Sequence, residues 1–169
     1  FLEVGLRLSS ALLMGAKGSR AQAVSRTLLA EGQLDPGAVQ EIRRNIIKAY
    51  IAQGLIADAE IAAQRYQLEY APDETSWQLL RATSALAGLR PKDAVFQLIG
   101  AQSYEVQLWR AFAQWRSGAL PIDLALTRLG AVPIPEDLVR LESPRHAMLA
   151  EVASEVRYVR SRVGAIEYL

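Results

Sequence analysis

Gly18, Gly54, Gly88 and Gly118 recur at intervals of 36, 34 and 30 residues. Each stands between two segments patterned as helices. A period in this range marks helical hairpins stacked one on the next, because one hairpin alone cannot bury its apolar face. The feature points to an all-α chain of four hairpins, about residues 2–36, 38–72, 76–100 and 104–133, followed by a longer helix over about 144–163. These are expected to form a single domain. The chain starts at Phe1 without Met and is apolar at both ends, where a free-standing array carries polar caps, so it is expected to be a piece of a longer protein.

The apolar spacing supports each helix. Leu2, Leu6, Leu8, Leu12 and Leu13 mark the first. Ser19 with Gln22 reads as a capping box opening the second, whose apolar face carries Ala23, Val24, Leu28 and Leu29, and the run Gln33 to Gly37 ends it. Val39, Ile42, Ile46, Ile47 and Tyr50 follow helical spacing in the third. Ala59, Ala62, Ala63, Tyr66 and Tyr70 form a small-residue stripe in the fourth, which lets a neighbouring helix approach closely. Trp77, Leu80 and Leu86 mark the fifth; Pro91 opens a short sixth. Val106, Leu108, Trp109, Phe112 and Trp115 mark the seventh, and a short eighth covers about 121–129. Glu136 to Leu141 suits one or two turns. Ser143 reads as the N-cap of the last helix, with Pro144 at its first position. No stretch has the alternation and β-branched content of a strand.

Several function classes are excluded by composition. With 51% hydrophobic and 22% charged residues the chain can bury a core. Nineteen Lys and Arg against eighteen Asp and Glu exert no global pull on nucleic acid or an anionic membrane. Without cysteine there is no disulfide framework, thiolate site or cysteine nucleophile, and both reducing and oxidising compartments stay open, the cytoplasm or a periplasm. No apolar run is long enough for a transmembrane helix. His146 is the only histidine; with Ser143 and Glu142 three to four residues away on a helix start it makes no triad, and no phosphate-binding glycine loop is present. The chain is therefore expected to be non-catalytic, with no cofactor and no metal.

The repeat extends beyond its glycines. Gly18 and Gly54 are each followed five residues later by alanine, Ala23 and Ala59, and eighteen residues later by proline, Pro36 and Pro72. Glycine is expected to end the first helix in a left-handed conformation, alanine to sit at the helix crossing, and proline to end the second helix. Ala49-Tyr50-Ile-Ala-Gln-Gly54 with Ala59 and Pro72, followed by Trp77-x2-Leu80, resembles the landmarks of the tetratricopeptide repeat family, as does the 34-residue step from Gly54 to Gly88. Arg81 and Ser84 depart from that pattern, and the helices after Gly88 and Gly118 are short. The resemblance is clearest over residues 39–90. It implies a right-handed α–α superhelix whose first helices line a groove for a peptide or a helix.

Mapped by position, the resemblance places Arg44, Lys48 and Ile51 in that groove, then Gln78, then Leu108, Phe112, Trp115 and Arg116. Arg44 and Lys48 lie one turn apart and can hold a carboxylate, although Gln78 and Ala82 stand where a carboxylate clamp needs further polar and basic residues. Trp109, Phe112 and Trp115 suit core packing better than a stacking platform, with Trp115 expected to be the exposed ring if any is. Arg157, Arg160 and Arg162 complement the end of the last helix, and Glu151 and Glu155 on that helix count against nucleic acid. The function that follows is an interaction scaffold for a protein or peptide partner, set in a bacterial multi-protein assembly. The alternatives are a helical accessory domain of a larger enzyme, such as one that processes cell wall, and a sensor domain of a regulator.

Overall fold

The structure, a computed structural model, describes residues 2–31, 34–72 and 74–166, with side chains as far as Glu155. Among the described residues there are nine α-helices, one 3-10 helix and no strand: α1 (Leu2–Met14), α2 (Gly18–Ala30), α3 (Pro36–Ala52), α4 (Ile56–Tyr70), α5 (Thr75–Ala87), α6 (Pro91–Gln97), α7 (Tyr104–Arg116), α8 (Ile122–Ala131), the 3-10 helix (Glu136–Leu141) and α9 (Glu142–Ile166). They group into two compact units, Phe1–Leu89 and Arg90–Leu169. The division falls in the turn of the third expected hairpin, so α5 belongs to the first unit and α6 to the second.

One backbone turn recurs between consecutive helices. A helix ends, the next residue but one is left-handed, the chain extends briefly, and a second helix begins. The left-handed residues are Ala16 (φ 54°), Gly54 (φ 74°), Leu89 (φ 57°) and Gly118 (φ 77°). Three of these turns close with a bond to a carbonyl five residues back: Lys17 N–H to Leu12 O at 2.8 Å, Leu55 to Tyr50 at 3.0 Å and Ala119 to Gln114 at 2.9 Å. This is the Schellman closure of a helix end. The glycine expectation is thus corrected at two of four places. Gly18 opens α2, where an added Cβ would lie 2.8 Å from Ala49 O and 2.9 Å from Gln53 Cγ; close approach of α2 to α3, not backbone conformation, requires glycine there. Gly88 has φ −81° and passes the left-handed role to Leu89.

A second regularity follows from the first. The fourth residue of every second helix is an alanine with no exposed surface: Ala21 in α2, Ala59 in α4, Ala94 in α6 and Ala125 in α8. Each donates its N–H to the residue just before its helix, at 2.9–3.2 Å. A methyl is all the space there admits; within a unit, at Ala21, Ala59 and Ala125, a larger side chain would force the paired helices apart. Ala59 was expected at the crossing and is there. Ala23 was also expected but is exposed, and Ala21 takes its place.

Other local readings change with it. The Ser19–Gln22 capping box does not form: α2 starts one residue earlier with no side-chain cap, and Gln22 instead accepts from Gln53 Nε2 at 3.0 Å. Pro36 does not end the second helix but opens the third, behind Asp35, whose side chain accepts from Ala38 N at 3.0 Å. Ser143 lies inside α9, which continues directly from the 3-10 helix, and is no cap. In α1 the fully buried residue is Ser9, not a leucine, and Leu8 is 48% exposed. Ser9 Oγ meets Ser25 Oγ at 2.9 Å, so two small polar groups satisfy each other where α1 and α2 pack closely.

The first unit's core is built on Ile47, Ala63, Tyr66, Trp77 and Leu80, with Ile51, Ala62 and Tyr70 packed against it. The Tyr66 and Trp77 rings stack at 4.9 Å. Each such buried large side chain stabilises by about 1.5–3 kcal/mol, with roughly 0.5–1.5 kcal/mol more for an aromatic pair. In the second unit, Val106, Leu108, Ala111, Phe112, Ala113 and Trp115 of α7 are buried, as are Leu129, Leu141, Met148 and Val152.

Candidate functional site

The first unit carries clefts on two faces. On the side of the first helices, two adjoining clefts of ≈470 and ≈360 Å³ share Ser10 of α1 with Asn45 and Lys48 of α3. The larger adds Gln40, Glu41, Arg44 and Glu74; the smaller adds Leu13, Met14 and Ala52. On the side of the second helices a cleft of ≈870 Å³ runs between α2 and α4 and is floored by α3. Its lining includes Leu29, Ile46, Ile61 and Leu68, with Arg26, Arg43, Arg65, Asp58 and Glu69.

The first two clefts meet at Asn45. It lies three residues after Ile42 on the buried stripe of α3 and is only 3% exposed. Its Nδ2 is fully buried with no hydrogen-bond partner. An amide donor in that state costs about 1–3 kcal/mol relative to one that is satisfied, and the residue lines both clefts. Arg44 is already engaged. Its Nε donates to Tyr66 Oη at 2.6 Å, it reaches Ser76 Oγ at 3.4 Å, and it pairs with Glu74. That network ties α3 to α4 and to the start of α5, so Arg44 forms part of the cleft wall and is not a solvated side chain. Lys48 is exposed beside Asn45.

The apolar cleft exists because α2 and α4 each pack on α3 without packing firmly on one another. Arg43 pairs with Glu69, and Arg26 donates to Tyr50 Oη at 3.1 Å. Loss of hydration raises the pKa of the neighbouring Tyr70 hydroxyl above its ordinary value of 10.0, against the pull of Arg43.

The other expected site residues are placed as follows. Ile51 packs against the core cluster of the first unit. Gln78 is half-buried, with its Oε1 out of solvent and unpartnered. Leu108, Phe112 and Trp115 are 1%, 8% and 8% exposed, so they are not available as a surface platform, and Trp109 is the half-buried ring in place of Trp115. Arg116 lies over the Trp115 ring at 5.9 Å and pairs with Glu151 at 3.1 Å. The side chains of Arg157, Arg160 and Arg162 lie outside the described residues. His146 is exposed, 3.9 Å from Glu142 Oε2.

Asn45, Ile61, Arg65 and Leu68 were not among the expected site residues. Each left a signal. Asn45 is a polar residue on an apolar stripe, and Ile61 and Leu68 are apolar residues seven apart on α4, off its Ala59–Tyr66 stripe.

Among the described residues, no group of three or more His, Cys, Asp or Glu is placed to hold a metal ion, and no helix is long and apolar enough to cross a membrane. Compared with known proteins, the chain matches no family model, no curated protein and no solved structure.

Proposed function

We propose that this chain is a non-catalytic interaction scaffold and that the first-helix side of its first unit takes an extended segment of a partner protein. The observation that carries this reading is the buried, unpartnered Asn45 Nδ2 at the junction of a polar cleft and a mainly apolar one. An extended segment leaves its main-chain carbonyls and amides unpaired, so it needs side-chain donors and acceptors along its path. Asn45, Gln40, Ser10 and Lys48 supply them. A tetratricopeptide-like, right-handed stacking of the hairpins is part of this reading, supported by the recurrent turn and the four buried alanines.

The experiment selects linear peptides from a randomised display library on the whole chain and compares Asn45→Leu with the unchanged protein. The substitution is expected to weaken the selected peptides at least about tenfold, or ~1.4 kcal/mol. It is also expected to leave the urea midpoint equal or higher, since it removes an unsatisfied buried group. A residue that served only the fold would lose stability and binding together. Selection of no peptide, or peptides that bind Asn45→Leu undiminished, would refute the proposal.

A further inference from the structure

The cleft between α2 and α4 has a chemistry that the extended-segment reading does not use. Ile61 is 53% exposed and Leu68 is 87% exposed. They stand two helical turns apart on α4, with Arg65 between them, so all three share one side of the helix. Both belong to the lining of the cleft, above the half-buried Leu29 and Ile46.

We propose that this cleft docks an amphipathic helix of another protein, one whose apolar stripe is flanked by Asp or Glu. Two arguments select that occupant. The first concerns backbone. The walls are the later part of α2, at Arg26 and Leu29, and α4 from Ile61 to Glu69, whose own N–H groups are spent within the helices. They offer no main-chain ladder to an extended segment, whereas a helix arrives with its backbone already satisfied and needs only an apolar groove for its stripe.

The second argument concerns charge. Arg43 is taken up by Glu69. Asp58 sits in the first turn of α4, where the helix dipole offsets its charge. Arg26 on α2 and Arg65 on α4 have no carboxylate partner among the described residues, and Arg26 has only the neutral Tyr50 hydroxyl. The two opposite walls therefore each present a cation toward whatever lies between them, which suits acidic residues on both flanks of an apolar stripe.

The test uses the whole chain and a library of peptides on a stable helical scaffold, randomised along one face. Enriched sequences are expected to place Leu, Ile, Met or Phe at helical spacing with Asp or Glu on the flanks. Leu68→Asp is expected to weaken them at least tenfold. Arg65→Glu is expected to weaken them by a similar factor and to favour the same peptides with their acids changed to Lys. Asn45→Leu is expected to leave this binding unchanged, so failure here is distinct from failure of the extended-segment proposal.

Ile61, Arg65 and Leu68 are exposed, so each variant can be checked for an unaltered far-UV spectrum before binding is measured. No enrichment, basic flanks among the winners, or winners indifferent to Leu68→Asp would overturn the proposal. So would two other results abolished by Leu68→Asp: adsorption to phosphatidylglycerol vesicles in place of peptide binding, or a dimer in sedimentation equilibrium that occludes the cleft.

Discussion

The second helices of the first unit, α2 and α4, run 13 and 15 residues, whereas their counterparts in the second unit, α6 and α8, run 7 and 10. Both units keep the left-handed turn and the buried alanine that follows it. The difference lies in what happens after the helix stops. A shortened helix leaves carbonyls of the following segment without amide donors, and in the second unit two of the arginines provide them. Arg110 of α7 donates to Leu98 O and to Ala101 O, the latter at 2.6 Å, and Arg145 of α9 donates to Val132 O at 3.3 Å. In the first unit the arginines bond side chains: Arg26 to Tyr50, Arg43 to Glu69, Arg44 to Tyr66. One start to the hairpin can therefore carry two kinds of ending. The full-length ending leaves the larger groove between helices, and the shortened one commits two arginines, Arg110 and Arg145, to its own backbone.

Breaking that contrast should be costliest at Arg110. Arg110→Met would leave two carbonyls without their charged donor, an expected loss of about 3 kcal/mol. Hydrogen exchange should accelerate across residues 90–155, while Arg26→Met, read the same way in the first unit, stays within about 0.5 kcal/mol of the unchanged protein. If Arg26→Met proved equally costly, the two units would not differ as described. Ala59→Leu and Ala125→Leu test the shared part. Each overfills the same crossing and should cost about 2 kcal/mol in urea unfolding; one tolerated and one not would show that the register is not common to both.

Next come the glycines. Gly18→Ala should destabilise by about 2 kcal/mol through its contact with Ala49 O. Gly54→Ala, with nothing within 4 Å of its added Cβ, should lose only the roughly 1 kcal/mol of a left-handed backbone. The smallest effect is a gain: Leu89→Gly relieves a left-handed leucine that is 76% exposed and should stabilise by somewhat less than 1 kcal/mol, seen as a raised thermal midpoint.

The helices were legible because helical spacing of apolar residues is a local signal, and α7 lies at the bounds that spacing suggests. The hairpin register was not. Glycine was equated with the left-handed position, but Ala16 and Leu89 hold that position at a cost of about 1–2 kcal/mol each, which the turn bonds and the alanine packing beyond them offset. Once the turn, and not the glycine, sets the register, Ala21 and Ala94 fall into line with Ala59. The candidate site was legible in part. Arg44 and Lys48 do line a cleft, but Arg44 is absorbed by Tyr66, Ser76 and Glu74, partners 22 to 32 residues away that no local pattern announces. Leu108, Phe112 and Trp115 looked available for a partner because spacing shows that residues share a face, not whether that face is covered.

The most direct test of the scaffold reading is the side-chain amide of Asn45 itself. In a ¹H–¹⁵N spectrum of the protein titrated with a selected linear peptide, the Asn45 Nδ2 protons are expected to move downfield as the donor gains its acceptor, with the backbone amides around Lys48 moving alongside. An Asn45 side-chain signal that stays in place while peptide-induced shifts appear elsewhere in the chain would contradict the account.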